Sequence, residues 1–263
     1  MYRSVLLVLR YFKYRLRSAG AHGIHSPFVF DLYTKVIHGS TDAVKKKSLV
    51  ELRKKISGDK RILKVSDYGT AEGKSTQRKL SVSYIARNYA SGTKKAELLC
   101  RLSEYFSPST ILELGTSIGI GTLALALGSP KSKVISLEGS AETAGVAKEN
   151  FVSVGITNVE VITGEFSGTL SPALEKFSSV DLIFIDGNHR SAPTLSYFEQ
   201  CLPKANENSL FIFDDIHWSA DMENAWKQIQ NHPSVSLTID LFEVGLVFFR
   251  KGIARQNFIL KYY

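Results

Sequence analysis

The stretch most able to do chemistry in this 263-residue chain is Ile111-Leu112-Glu113-Leu114, an apolar run that opens into Gly115-Thr116-Ser117-Ile118-Gly119-Ile120-Gly121. Glycines after a strand let the backbone turn tightly and admit a ligand without Cβ clashes. The helix start that follows favours negative charge. The spacing Gly115-x-x-x-Gly119-x-Gly121 is not the Gly-x-Gly-x-x-Gly dinucleotide fingerprint. Glu113, just before the turn, would also repel a pyrophosphate, so a ligand bearing an amino group and a sulfonium suits the position better. A second carboxylate, Glu138, closes the next run in Ser136-Leu137-Glu138-Gly139-Ser140, where it can accept from both hydroxyls of a ribose. Thr163-Gly164-Glu165-Phe166 closes a third, where an adenine ring would lie. Each alone also reads as a surface turn. Their order at successive strand ends points to one ligand.

These residues need a scaffold, and the alternation from residue 109 onward supplies it. Apolar strands are expected at Thr110–Leu114, Lys133–Leu137, Val159–Thr163, Val180–Ile185 and Ser209–Phe213. Helices are expected between them at Gly121–Leu127, Glu142–Val154, Gly168–Phe177, Pro193–Leu202 and Ala220–Gln230. Continuously apolar strands alternating with helices indicate a parallel sheet buried on both faces. Val235–Asp240 and Gly245–Arg250 follow each other closely and read as a hairpin, so the sheet gains an antiparallel edge. Earlier in the chain, helices are expected at 2–17, Phe28–His38, Asp42–Ile56 and 77–106, the last broken near Ser91-Gly92. Asp59–Thr76 reads as an irregular loop. The division is then a basic helical extension, 1–90, and an α/β ligand-binding domain, 91–263.

Composition excludes collagen-like, low-complexity and disordered chains: 44% of residues are hydrophobic and 22% charged, with 19 Gly and 7 Pro. The apolar run Val5–Leu9 is far shorter than the ~20 residues a membrane span needs, and no signal peptide is read, so the default compartment is the cytoplasm. Cys100 and Cys201 lack motif spacing and read as small buried hydrophobes. The net charge of +8 is unevenly placed: residues 1–100 carry 21 Lys+Arg and 7 Asp+Glu, which is +14, and the remainder carries −6. Such a split suits an anionic partner or simply a solvated face. Within 2–17, Arg3, Arg10 and Arg17, with Lys13 nearby, oppose an apolar stripe of Val5, Leu6, Leu9, Phe12 and Leu16. That stripe can dock on its own domain, on a second copy in a homodimer, or on a membrane surface.

The block Leu112-Glu113-Leu114-Gly115-Thr116-Ser117-Ile118-Gly119 resembles the first motif of the class I S-adenosylmethionine-dependent methyltransferases. More narrowly, it resembles the catechol and caffeoyl-CoA type O-methyltransferases. The likeness continues at Phe184-Ile185-Asp186-Gly187-Asn188-His189 and Phe213-Asp214-Asp215-Ile216-His217-Trp218, and covers about residues 95–250. It implies a Rossmann-like, seven-stranded, mostly parallel sheet with a reversed final hairpin. It also implies cofactor contacts from Glu113, Gly115, Thr116, Ser117, Gly119, Glu138, Gly139, Glu165, Phe166 and Asp186. A divalent metal, Mg2+ or a similar ion, would be held at the positions of Asp186, Asp214 and Asp215; Asp215 replaces the family's Asn. Three all-oxygen donors at adjacent strand ends suit such an ion. The alternative is that Asp214 caps a turn and only Asp186 faces the ligand.

The family's general base is a lysine three residues after the first aspartate, and here that position is His189. An imidazole with an ordinary pKa of ~6.5 can accept a hydroxyl proton near neutral pH; it can equally be a metal ligand or a substrate partner. Trp218 can wall the acceptor pocket or simply pack. The expected activity is methyl transfer to a hydroxyl of a small-molecule or lipid-like acceptor. A second reading is methylation of tRNA or rRNA on the basic first part, where Tyr11, Phe12, Tyr14, Tyr84 and Tyr89 interleave with basic residues. A third is a membrane-surface or scaffolding protein with a degenerate core, which the intact Glu113, Gly115, Gly119 and Glu138 set opposes. His22-Gly23-Ile24-His25-Ser26-Pro27-Phe28 carries no assignable chemistry.

Overall fold

A computed structural model describes residues 2–67 and 76–262, with side chains of 2–4, 67 and 76 outside the description. In chain order the elements are α1 (Tyr2–Arg17), α2 (Pro27–Leu32) running on as a π-helical turn Tyr33–Ile37, α3 (Ala43–Ser57), β1 (Ile62–Asp67), β2 (Thr76–Ser81), α4 (Val82–Asn88) and α5 (Thr93–Phe106). There follow β3 (Thr110–Leu114), α6 (Ile120–Gly128), β4 (Lys133–Glu138), α7 (Ala141–Val154), β5 (Val159–Thr163), α8 (Phe166–Glu175), β6 (Leu182–Ile185) and α9 (Ser191–Cys201). The chain ends with β7 (Leu210–Asp214), α10 (Ala220–Asn231), β8 (Leu237–Asp240), β9 (Val244–Phe248) and β10 (Gln256–Ile259). The chain forms two compact units, Gly39–Ser178 and Met1–His38 with Ser179–Tyr263. Residues 1–38 of the expected extension thus belong with the second unit, and 39–90 with the first.

In Gly39–Ser178, β3, β4 and β5 run parallel, with Leu112 opposite Ile135 and Ile135 opposite Glu160. Ile111, Leu112 and Leu114 are fully buried, as a strand covered on both faces demands. α5 lies tightly on α6, because Gly128 has no side chain: a Cβ there would run into the Cys100 carbonyl oxygen and lie 2.6 Å from Ser103 Cβ. Asp42 starts α3 by accepting from the amides of Val44 and Lys45. The interval read as a loop from Asp59 to Thr76, and the helix read from residue 77, are corrected in part. Ile62–Asp67 and Thr76–Ser81 pair antiparallel, and helix starts only at Val82, where the Ser81 hydroxyl accepts from Tyr84 N–H. The hairpin is hard to see because it is polar: Lys64, Arg78 and Lys79 are exposed, and among its described side chains only Leu63 is buried. Residues 68–75 of that expected loop lie outside the described residues.

In the other unit β6 runs parallel to β7, and β7, β9 and β8 follow as the antiparallel edge expected of the final hairpin. An unexpected strand, β10, lies parallel to β8, pairing Phe258 with Ile239. Its four residues Gln-Asn-Phe-Ile offer too short an apolar signal to be read from sequence. α1 docks by Tyr14, which is buried and donates its hydroxyl to the Leu260 carbonyl, and by Tyr11 edge-on to Phe242 with ring centroids 5.0 Å apart. The docking face is therefore not the apolar stripe. The segment His22–Phe28 has a structural role. Its Ser26 caps α2, and Phe28 stands edge-on to Phe248 at 5.3 Å under the Arg250 guanidinium at 4.1 Å. Among the described residues no helix is long and apolar enough to cross a membrane.

Candidate functional site

β3 ends in a turn whose backbone takes left-handed values at Gly115 (φ +110°), Ser117 (φ +50°) and Gly119 (φ +92°). At Gly119 a Cβ would meet the Phe151 ring at 2.7 Å, so both backbone and space require glycine. The turn is held from β4. Gly115 and Thr116 amides donate to the Leu137 carbonyl at 2.9 and 3.1 Å, and Ser117 N–H donates to Glu138 Oε2 at 2.7 Å. Glu138 Oε1 accepts from Ser140 N–H at 2.9 Å and from the Thr143 hydroxyl at 3.0 Å. Burial raises the Glu138 pKa, while these donors pull it back. Three donors on a carboxylate with about four lone-pair positions leave it little capacity for both hydroxyls of a ribose.

Glu113 stands beneath the turn rather than in it. It is 1% exposed, and its Oε2 accepts from the Thr122 hydroxyl and from the Ser136 hydroxyl at 2.5 Å. Ser136 has one proton to give, so Thr116 Oγ1, 2.5 Å away, donates to it. Burial pushes the Glu113 carboxyl up to about 7, against the two hydroxyl donors. Its Oε1 has no hydrogen-bond partner. The turn is where S-adenosylmethionine would bind, with Glu113 bracing it from beneath through Ser136 and Thr116 rather than reaching the ligand. Further along, Gly139 is half-buried; Glu165, exposed, precedes α8, and Phe166 is half-buried at its first position.

The remaining expected residues lie in the other unit. After β6, Asp186 and His189 are half-buried, and Asn188 takes a left-handed φ of +54°. The imidazole sits between two carboxylates, with Nε2 3.7 Å from Asp186 Oδ1 and Nδ1 3.8 Å from Asp215 Oδ2. These are ion-pair distances, longer than hydrogen bonds. Asp215 also has a left-handed φ of +54°, which turns it away from the strand register of Asp214. Asp214, 4% exposed, is paired in β7 with Val244 of β9. The expected three-carboxylate set is therefore arranged as two carboxylates around an imidazole. Among the described residues no group of three or more His, Cys, Asp or Glu is placed to hold a metal ion. As placed, this donor set does not fit a divalent ion. Trp218 is 52% exposed, so its ring is available to a ligand rather than packed.

Sequence reasoning missed a cluster beside Trp218. His217 is clamped by Glu223 Oε1 at 2.9 Å and Asp240 Oδ2 at 2.8 Å, and stacks on Phe242. Burial pulls its pKa down, but the bonds and charges of the two carboxylates outweigh that and leave it raised. Arg10 of α1 closes the cluster, reaching Glu223 Oε2 at 3.3 Å and the Trp218 carbonyl at 3.4 Å. No sequence signal links these positions, since they come from α1, α10, β8 and the loops beside them, and the Arg10–Glu223 pair alone spans 213 residues.

Residues 112–216 match the family described as "Methyltransferase domain". The chain is 30% identical over 129 residues to a catechol O-methyltransferase of Mycobacterium tuberculosis, covering 48% of this chain and 57% of that protein. It is 30% identical over 125 residues to a catechol O-methyltransferase of Niastella koreensis, covering 46% and 56%. The chain thus spans little more than half the length of these relatives. The crystal structure of the O-methyltransferase from Bacillus cereus in complex with SAH superposes with a TM-score of 0.55 at 20% identity, over 84% of this chain and 97% of that one. At that identity the likeness shows the fold. Over residues 112–216 the chain is thus similar to methyltransferase domains, and among the curated relatives it resembles catechol O-methyltransferases.

Proposed function

We propose that the protein is an S-adenosylmethionine-dependent O-methyltransferase acting on a hydroxyl of a small-molecule or lipid-like acceptor. The observation that carries this reading is His189, an imidazole between Asp186 and Asp215 at 3.7 and 3.8 Å, at the sequence position where the resembling enzymes keep their base. When bound, the cofactor supplies an electrophilic methyl group on a sulfonium sulfur. The turn of Gly115, Thr116, Ser117 and Gly119, held in place by Glu138, binds it, helped by Gly139, Glu165 and Phe166. Glu113 acts from behind through Thr116 and Ser136. His189 takes the acceptor's hydroxyl proton on a ring nitrogen, and the two carboxylates orient the ring and stabilise the imidazolium that results. No step is assigned to a divalent ion.

The test is transfer of labelled methyl from S-adenosylmethionine to catechol and other hydroxylated aromatics, with magnesium in one arm and EDTA in another. Label in the phenolic product that disappears in His189→Ala, while cofactor binding persists, supports the reading. Loss with EDTA would restore an ion to the mechanism. Label recovered only in RNA would replace the acceptor class.

A further inference from the structure

The outward face of α1 carries five apolar side chains that its own unit leaves uncovered: Val5 (53% exposed), Val8 (52%), Leu9 (58%), Phe12 (62%) and Leu16 (88%). At about 100° per residue they fall in one band about 100° wide along the helix. Lys13 and Arg15, both exposed, flank the band about 80° to either side of its axis. The helix needs none of these residues to stay in place. It is held from the opposite side by buried Tyr14, by Tyr11 against Phe242 and by the Arg10–Glu223 pair at 3.3 Å. Five large apolar groups in water on a helix already anchored elsewhere call for a partner.

We propose that this face is an interfacial anchor that lays α1 on an anionic lipid surface. Charge selects the occupant. Residues 1–30 hold five Lys+Arg and no Asp or Glu, the first acid being Asp31. A second copy laid on this face would set Lys13 and Arg15 against like charges with no carboxylate to answer them. RNA would engage the bases but leave Leu9, Phe12 and Leu16 in water. A bilayer with anionic headgroups takes both: the apolar band enters the acyl boundary, and the two flanking cations extend along their aliphatic stems to the phosphates.

The test uses the full chain with vesicles of phosphatidylcholine alone or with added phosphatidylglycerol, read by co-sedimentation. The chain should bind the phosphatidylglycerol vesicles and not the neutral ones, with binding weakened by salt. Leu9→Glu with Phe12→Glu should lower the bound fraction at least about tenfold, because each site loses the burial of a large apolar side chain. Lys13→Glu with Arg15→Glu should do the same. All four residues are exposed, so unchanged circular dichroism and melting should show that the variants fold. Equal partition of wild type and the Leu9/Phe12 variant overturns the proposal. So does a dimer that Phe12→Glu dissociates without any vesicle binding, or RNA binding that survives Leu9→Glu, since these assign the face to a second copy or to nucleic acid.

Discussion

Ser117 N–H donates to Glu138 Oε2 at 2.7 Å, so the carboxylate that ends one strand holds the glycine-rich turn that leaves its neighbour. All three partners of this carboxylate are donors: two amides and the Thr143 hydroxyl. Glu138→Gln would point an amide NH2 at a donor and lose at least one bond. The expected cost is about 1–3 kcal/mol of stability, together with weaker binding of S-adenosylhomocysteine. Urea unfolding and isothermal titration of the variant check both.

The buried Glu113 sets a pH dependence of known sign. Its carboxyl is raised to about 7 in the folded chain, against an ordinary value near 4.5. Between those values the folded state holds a proton that the unfolded state has released, so stability falls as pH rises. Glu113→Gln should remove this loss. The variant should gain on the wild type by on the order of 3 kcal/mol from pH 4 to pH 8, as read from urea midpoints at the two pH values.

Gly128 is where α6 meets α5. Gly128→Ala would drive a methyl group into the Cys100 carbonyl, a backbone atom that cannot swing aside. A loss of about 1–3 kcal/mol is expected. Thermal and urea unfolding should show it with little change in cofactor affinity per folded molecule.

Removal of the imidazole between Asp186 and Asp215 separates chemistry from binding. His189→Ala should lower kcat by about 10²–10⁴-fold and leave the S-adenosylhomocysteine Kd nearly unchanged. Asp186→Asn and Asp215→Asn should each give a smaller loss. Steady-state kinetics on whichever phenol accepts methyl would measure the set.

The strands that hold these groups were readable because they are buried on both faces. Leu182–Ile185 and residues 210–213 are short, continuously apolar runs between helical patterns, and their length and aromatic and β-branched content mark them as buried strands. The polar hairpin Ile62–Ser81 and the short Gln256–Ile259 strand lack it, since their pairing rests on backbone bonds that sequence does not announce. The site was legible in position but not in direction. Glu113 stands where a ligand-facing acid was expected, yet its side chain runs inward to Thr122 and Ser136. Amphipathicity in α1 likewise identified the apolar stripe but not that Tyr11 and Tyr14 would do the docking. Which face is used depends on what the rest of the chain offers it.

The bond from Tyr14 to the Leu260 carbonyl spans 246 residues of sequence. Ala19 adds a pair of backbone bonds with Ile259 and Lys261 at 2.8 and 3.0 Å. During synthesis α1 therefore leaves the ribosome long before its seat exists. At 5–20 residues per second the delay is roughly 10–50 s. Through that interval the nascent helix shows both its faces, so co-translational chaperones meet it first, and anything able to capture an amphipathic helix competes with folding for it.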